Sequence, residues 1–221
     1  MLAVPFDICP MVRPGSTALL TNEVQPSTVR GGEGLAAAGA RVLPNIVRLA
    51  DAARAADVQV VHCVKVFRRD SLARNRNVVL YRLRGQLPAD HPPPDSRPVE
   101  GSIVVPELGP DERDIVMTRL HGMGAACDSG VVPVLRNLGI RTVVVTGVSL
   151  NIGVTNTVMD LVNQSFDVVV PRDGVAGTPD DYAEMMMAHT VRFLATVTTT
   201  DDLVAAWTAA AQDSTGTASP R

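Results

Sequence analysis

Five stretches of this sequence are apolar on both faces instead of alternating, and segments of helical periodicity separate them. They are STALLTNEV (16–24), VQVVHCVKVF (58–67), DIVMTRL (114–120), RTVVVTGV (141–148) and FDVVVPRDG (166–174). A strand that is apolar throughout has to be covered on both sides, as in a parallel sheet flanked by helices. Between the strands, VLPNIVRLADAARAA repeats apolar residues every three or four positions, SGVVPVLRNLGI carries a helix that ends at Gly139, and NTVMDLVNQS leads from the fourth strand to the fifth. PDDYAEMMMAHTVRFLATV opens with an acidic first turn and is read as one closing helix. The alternation predicts an α/β domain of three layers, α/β/α, around a mostly parallel, Rossmann-type sheet.

A chain of 221 residues, 46% hydrophobic and 19% charged, is enough for one such core. We expect a single domain over 1–207 and, from the small polar composition of 208–221, a disordered tail. RGGEGLAAAGA (30–40) reads as a glycine-rich loop, and 70–112, with its run DHPPPDSRP, as a long excursion from the core. A loop of that length is often a functional lid or an oligomer contact. The net charge of −3 offers no footprint for nucleic acid. The one basic run, FRRDSLARNRN (67–77), is either a hold for an anionic substrate or a solvated loop. No apolar run reaches the roughly 20 residues of a membrane span, and the N-terminus lacks the pattern of a secretory leader, so a cytoplasmic location is expected. Cys9, Cys63 and Cys127 are odd in number and widely spaced, which predicts free thiols instead of disulfides or a zinc site. No cofactor and no metal is expected.

Right-handed crossovers place the loops after the strands along one edge of such a sheet, where ligands bind. The residues there are Asn22, Glu23 and Gln25 from the first strand, His62 and Lys65 from the second, Arg119 and His121 from the third, and Asn151, Ile152 and Gly153 after the fourth. His62, in VVHCV, is expected to be a satisfied core residue, and His189 with Met185–Met187 to pack in the core. Asn77, Arg74 and Arg76 sit in a loop able to reach the crevice.

Three motifs in order resemble the isochorismatase-like hydrolases, also called the cysteine hydrolase superfamily. ALLTNEVQ (18–25) is similar to the family's ALLVIDMQ, LRNLGIRTVVVTGVSLNIGVTNTVMDL (135–161) to its LRxxGIxxVVVTGVxTNxCVxxTAxDA, and FDVVVPRDGVAGTP to its later strand and loop. The resemblance covers roughly residues 16–200. It implies an Asp, Lys and Cys triad in amide-cleaving members. Here the Asp position holds Glu23 and the Cys position holds Gly153, while the Lys position falls on Arg119 by one count and on Leu120 by another.

Glycine has no nucleophile to offer, so thioester chemistry at this position is excluded. The family's isochorismatase branch resembles this arrangement: glycine replaces the thiol and a carboxyl group protonates the substrate. An apolar pocket would keep Glu23 protonated for that role. Glu is a methylene longer than Asp, about 1.5 Å at full extension, which implies a different substrate. The resemblance also implies a non-proline cis peptide between Val148 and Ser149, turning the amides of Asn151, Ile152 and Gly153 into an anion cradle.

From these residues the expected function is hydrolysis of a small carboxylate- or amide-bearing molecule by non-covalent acid/base chemistry. Glu23, Arg119 and Gly153 form the catalytic set, with Asn22, Gln25, His121, Ser149, Asn151 and Ile152 binding substrate. The alternatives are water activation by Glu23 in an amidohydrolase, a structural Glu23–Arg119 bridge, or a catalytically silent binder of a small acidic ligand. A homo-oligomer, dimer or tetramer, is expected, with no nucleic-acid or membrane partner.

Overall fold

The computed structural model describes residues 7–85, 93–127 and 129–216. Among them run β1 (Thr17–Asn22), α1 (Pro26–Val29), α2 (Gly34–Ala55), β2 (Gln59–Lys65), α3 (Val79–Leu83), β3 (Ile115–Arg119), α4 (Val131–Asn137), β4 (Thr142–Val148), α5 (Thr155–Asn163), β5 (Asp167–Pro171), β6 (Val175–Ala176), α6 (Asp180–His189), β7 (Thr196–Thr198) and α7 (Thr200–Gly216). The seven strands form one sheet of order β3-β2-β1-β4-β5-β7, with β6 paired to the end of β4. Every one of these pairings is parallel.

The apolar runs of β1, β2, β4 and β5 do what their composition demands, whereas β3, at the sheet edge, alternates and leaves Val116 49% exposed. All six residues of β1 and all seven of β4 are buried, because the sheet has a core on each face. On one side Ala18, Leu20, Val61, Val143 and Val145 pack with α4 and α5 through Val131, Leu135, Val158 and Leu161. On the other, Leu19, Val60, Val144 and Val169 meet α2 and α7 through Ile46, Leu49, Ala53, Leu203 and Trp207. Trp207 is fully buried and its indole N–H donates to the Val12 carbonyl at 3.0 Å. Truncating a tryptophan so placed costs about 3–5 kcal/mol.

Several elements depart from the expectation. α2 begins at Gly34, inside the segment read as a glycine-rich loop. A Cβ on Gly39 would lie 2.2 Å from the Thr28 carbonyl, so glycine there permits the close crossing of α1 and α2. The closing segment is not one helix: α6 ends at His189, and β-branched TVT forms β7 as an edge strand on β5. Of the residues expected to be core there, only Met187 is; Met185 is 57% exposed and His189 is exposed. α7 continues to Gly216, past the expected boundary at 207, because Trp207 and Leu203 anchor it in the core and Ala211 packs against that cluster; residues 217–221 lie outside the described residues, as do 86–92 of the excursion. Apart from α3, the excursion holds a turn of 3-10 helix at Pro106–Leu108.

Below the crevice, His62 is fully buried and satisfied, as expected for a core histidine. Thr21 Oγ1 meets its Nδ1 at 2.8 Å, and its Nε2 meets Asp114 Oδ2 at 3.1 Å. Asp114 also pairs with Arg54 at 2.8 Å and accepts from the Asp111 amide at 2.9 Å.

Candidate active site

The strand order fixes where a site can form. β2 and β3 lie on one side of β1, and β4 and β5 on the other, so the connections diverge between β1 and β4 and open a crevice beyond their C-terminal ends. Glu23 is the first residue past β1 and turns the chain there, in the left-handed region at φ 51°. A non-glycine residue in that region is uncommon, and such backbone persists where its surroundings over-determine it. Here they do: the Glu23 amide donates to the Cys63 carbonyl at 2.9 Å, and its carbonyl accepts from the Gln25 amide and the Thr28 hydroxyl.

The Glu23 carboxylate pairs with the guanidinium of Arg119 at the end of β3. The Arg119 side chain is 4% exposed and that of Glu23 20% exposed. Of the two positions that the motif left open for the cation, the structure turns Arg119 inward, while Leu120 is 43% exposed. Arg119 Nε and Nη1 are buried and have no hydrogen-bond partner among the described residues. The Glu23 carboxylate thus accepts from a buried guanidinium, where the sequence suggested apolar neighbours alone.

Across the crevice, the Val148–Ser149 peptide is cis, as the resemblance implied, and Leu150–Val154 forms a wide π-helical turn into α5. Gly153 is buried, and Asn22 occupies the space beside it. A Cβ at Gly153 would sit 2.9 Å from Asn22 Nδ2, 3.3 Å from the Met123 carbonyl and 3.5 Å from that of Val148. Asn22 is itself fixed, donating to the Val148 carbonyl at 2.6 Å. Thr157 completes the packing, its hydroxyl donating to the Gly153 carbonyl at 2.8 Å and accepting from the Ala125 amide at 2.7 Å.

The anion cradle expected from 151–153 is narrower than the sequence suggested. The amides of Ile152 and Val154 both donate to the Ser149 carbonyl, at 3.2 and 3.0 Å. Asn151 donates through Nδ2 to the Thr178 carbonyl, so this side chain faces the loop before α6. Ile152 is 37% exposed at the rim and Ser149 is half-buried.

Gln25 does not line the opening. Its side-chain carboxamide donates to the Lys65 carbonyl at 3.0 Å and accepts from the Lys65 amide at 2.9 Å, which fixes the end of β2. His121 is exposed on the loop after β3. From the basic loop it is Asn75, not Asn77, that reaches in: its Oδ1 accepts from the Gly122 amide at 2.9 Å, whereas Asn77 is exposed.

Two contributors escaped the sequence reading. Lys65 was placed on the crevice edge without a role, yet it is 3% exposed, with Nζ donating to the Tyr81 hydroxyl at 2.7 Å and to the Gly122 carbonyl at 3.0 Å. Tyr81, on α3, is 7% exposed and its ring, with that of Phe67, flanks the Lys65 ammonium. Arg74 stacks over the same two rings. The available signal was compositional: Lys65 is the only lysine in a chain with 20 Lys and Arg.

Cys63, two residues before Lys65, is buried, and burial pushes its thiol up to about 12, with Arg119 opposing the rise and Glu23 adding to it. A thiol held so far above neutrality is not a thiolate nucleophile. Among the described residues, no group of three or more His, Cys, Asp or Glu could hold a metal ion, and no helix is long and apolar enough to cross a membrane.

Comparison with known proteins agrees with this architecture. No curated protein matches the chain by sequence. Among solved structures, an isochorismatase family protein from Burkholderia thailandensis superposes with a TM-score of 0.71 at 24% identity, covering 88% of this chain and 96% of that one. A cysteine hydrolase from Pseudomonas syringae pv. phaseolicola gives 0.72 at 24% identity, with 90% and 96% covered. The N-carbamoylsarcosine amidase of Thermoplasma acidophilum gives 0.66 at 21% identity, with 84% and 97% covered. At these identities the likeness concerns the fold. The family model described as the isochorismatase domain matches residues 17–202, and the chain therefore belongs to the isochorismatase family.

Proposed function

We propose that this protein is a small-molecule hydrolase that works without a covalent intermediate, with Glu23 as its acid/base group. The observation that carries the proposal is the buried Glu23–Arg119 pair at the C-terminal ends of β1 and β3, with Glu23 on left-handed backbone at the sheet edge that also carries the Gly153 turn. Because the Glu23 carboxylate is engaged as an acceptor by Arg119, we take base catalysis as its role. Glu23 takes a proton from water as the hydroxyl adds to the electrophilic carbon of a small amide- or carboxylate-bearing substrate. The bond to the leaving group then breaks and Glu23 returns the proton to it, so the enzyme ends as it began. Protonation of a vinyl ether by Glu23 is the alternative use of the same carboxyl group.

Absence of a thiol route is part of the proposal. Gly153 carries no nucleophile, Asn22 fills the adjoining space, and Cys63 is held as a neutral thiol. In this reading Asn22 and Gln25 position the strand ends, and substrate is bound by Arg119, Ser149 and the rim at Ile152. We place the protein in the cytoplasm as a dimer or tetramer acting on a small molecule, with no nucleic-acid or membrane partner. Exposed Val79, Leu83, Ile103 and Phe193 supply apolar surface for the association.

Hydrolysis of isochorismate and of a panel of small amides, followed by mass detection of product, tests the reading. Activity that disappears in Glu23→Gln supports it; activity that survives in Glu23→Gln refutes it. A second reading, a silent binder of a small acid, is favoured by the same buried cations and predicts retained binding with no turnover in either protein.

A further inference from the structure

Two buried cations, Lys65 and Arg119, and one carboxylate, Glu23, stand at this edge, with half-buried Arg74 stacked on the rings beside Lys65. Arg119 is paired with Glu23, but among the described residues no Asp or Glu pairs with Lys65. The partners of Lys65 are neutral oxygens, those of Tyr81 and Gly122, and they leave one of its three N–H donors unused. Lys65 and Arg119 are cross-strand neighbours in the β2–β3 register, so both side chains leave the same face of the sheet. Arg119 keeps two buried donors without a partner.

A buried ammonium is expensive unless an opposite charge accompanies it. Arginines serve everywhere else in this chain where a cation is needed, including every salt bridge among the described residues apart from the histidine contact. The single lysine has no counter-charge among the described residues. Its ring neighbours, 5.5 and 5.3 Å from Nζ to the Phe67 and Tyr81 centroids, partly offset the burial, as cation–π contacts do, and they offer flat apolar walls.

We propose that Lys65, with the unpartnered donors of Arg119, forms the subsite for the substrate's carboxylate, and that the substrate is a planar monocarboxylate whose negative charge serves as the counter-charge of Lys65. Phe67 and Tyr81 hold the flat body behind the carboxylate, and Gln25, bonded to the Lys65 backbone, is a positioning residue for this subsite. The inference rests on the crevice being the substrate site, but not on the reaction performed there.

The test uses thermal melts of the full chain at constant ionic strength with formate, acetate and benzoate, each matched to its neutral amide, formamide, acetamide and benzamide. At least one carboxylate is expected to raise the wild-type Tm while its amide does not. Lys65→Met is expected to be at least as stable as wild type without added carboxylate and to lose the rise, its carboxylate affinity falling roughly tenfold to a hundredfold. No carboxylate-specific rise in wild type, or a rise that Lys65→Met retains, overturns the proposal.

Should Lys65→Met fail to fold, lysine-selective isotope labelling of wild type yields one Cε resonance. Movement of that resonance with the stabilising carboxylate but not its amide supports the subsite; a resonance indifferent to both overturns it. Loss of turnover in Glu23→Gln with carboxylate binding intact separates this subsite from the catalytic reading.

Discussion

Two buried polar clusters border β1, β2 and β3, and they are finished to different degrees. In the Thr21–His62–Asp114–Arg54 network, both ring nitrogens of His62 are engaged and Asp114 takes hydrogen bonds from Arg54, His62 and a backbone amide. At the C-terminal edge, Arg119 has donors that nothing meets and Lys65 has no acidic partner among the described residues. The same kinds of groups, buried to similar degrees, thus serve two ends. A network that closes on itself holds the fold, whereas the open one is, in our proposal, completed by the ligand.

The contrast can be broken by substitution on either side. The largest effect is expected for Glu23→Gln, a loss of about 10²–10⁴ in turnover with the fold retained by circular dichroism; unchanged turnover would reassign the open cluster to architecture. Next is Asp114→Ala in the closed network, which leaves Arg54 and His62 without their shared acceptor. It is expected to cost about 3–5 kcal/mol in urea denaturation, and a cost under about 1 kcal/mol would mean that closure contributes little.

Gly153→Ala ranks third, at about 1–3 kcal/mol, because the new methyl meets Asn22 Nδ2, itself held by Val148. By the same geometry Gly153→Cys does not recover a reactive thiol, which iodoacetamide labelling checks.

Acid sensitivity is a smaller effect. Burial holds His62 below its usual range, against the opposing pull of Asp114. The unfolded chain therefore binds that proton first as pH falls below about 6.5, and the fold loses stability from there down to the lower folded-state value. Asp114, lowered by Arg54, its backbone donor and His62 against burial, contributes stability that is present above about 3.9 and lost below it. Denaturation curves at pH 7.5 and 5.5 are expected to converge in His62→Gln relative to wild type. Smallest of all, His121→Ala, on an exposed loop position, is expected to stay within about 0.5 kcal/mol of wild type.

Much of this was readable in the chain because apolar runs and glycine-marked turns are local signals. The runs at 16–24, 58–67 and 141–148 place β1, β2 and β4, and their order places Glu23 and Gly153 at one crevice. The pairing of Glu23 with Arg119 was anticipated from the same edge. Tertiary context decided the rest. TVT at 196–198 is too short to announce a strand without β5 beside it. The helical course of 34–40 depends on α1 crossing at Gly39. The role of Lys65 depends on Tyr81, brought from 16 residues away by an excursion whose composition suggested only a loop. Gln25 had the right chemistry at the right edge, but its carboxamide is taken by the Lys65 backbone, and Asn151 gives its Nδ2 to the Thr178 carbonyl.

The Gln25 carboxamide, by exchanging two hydrogen bonds with the Lys65 backbone, impersonates a peptide group and prolongs the β1–β2 ladder after the main chain of β1 has veered away. Glutamate of the same reach has no N–H to give, and asparagine, with the same head group, is one carbon short. Of the twenty side chains, this position admits one without loss.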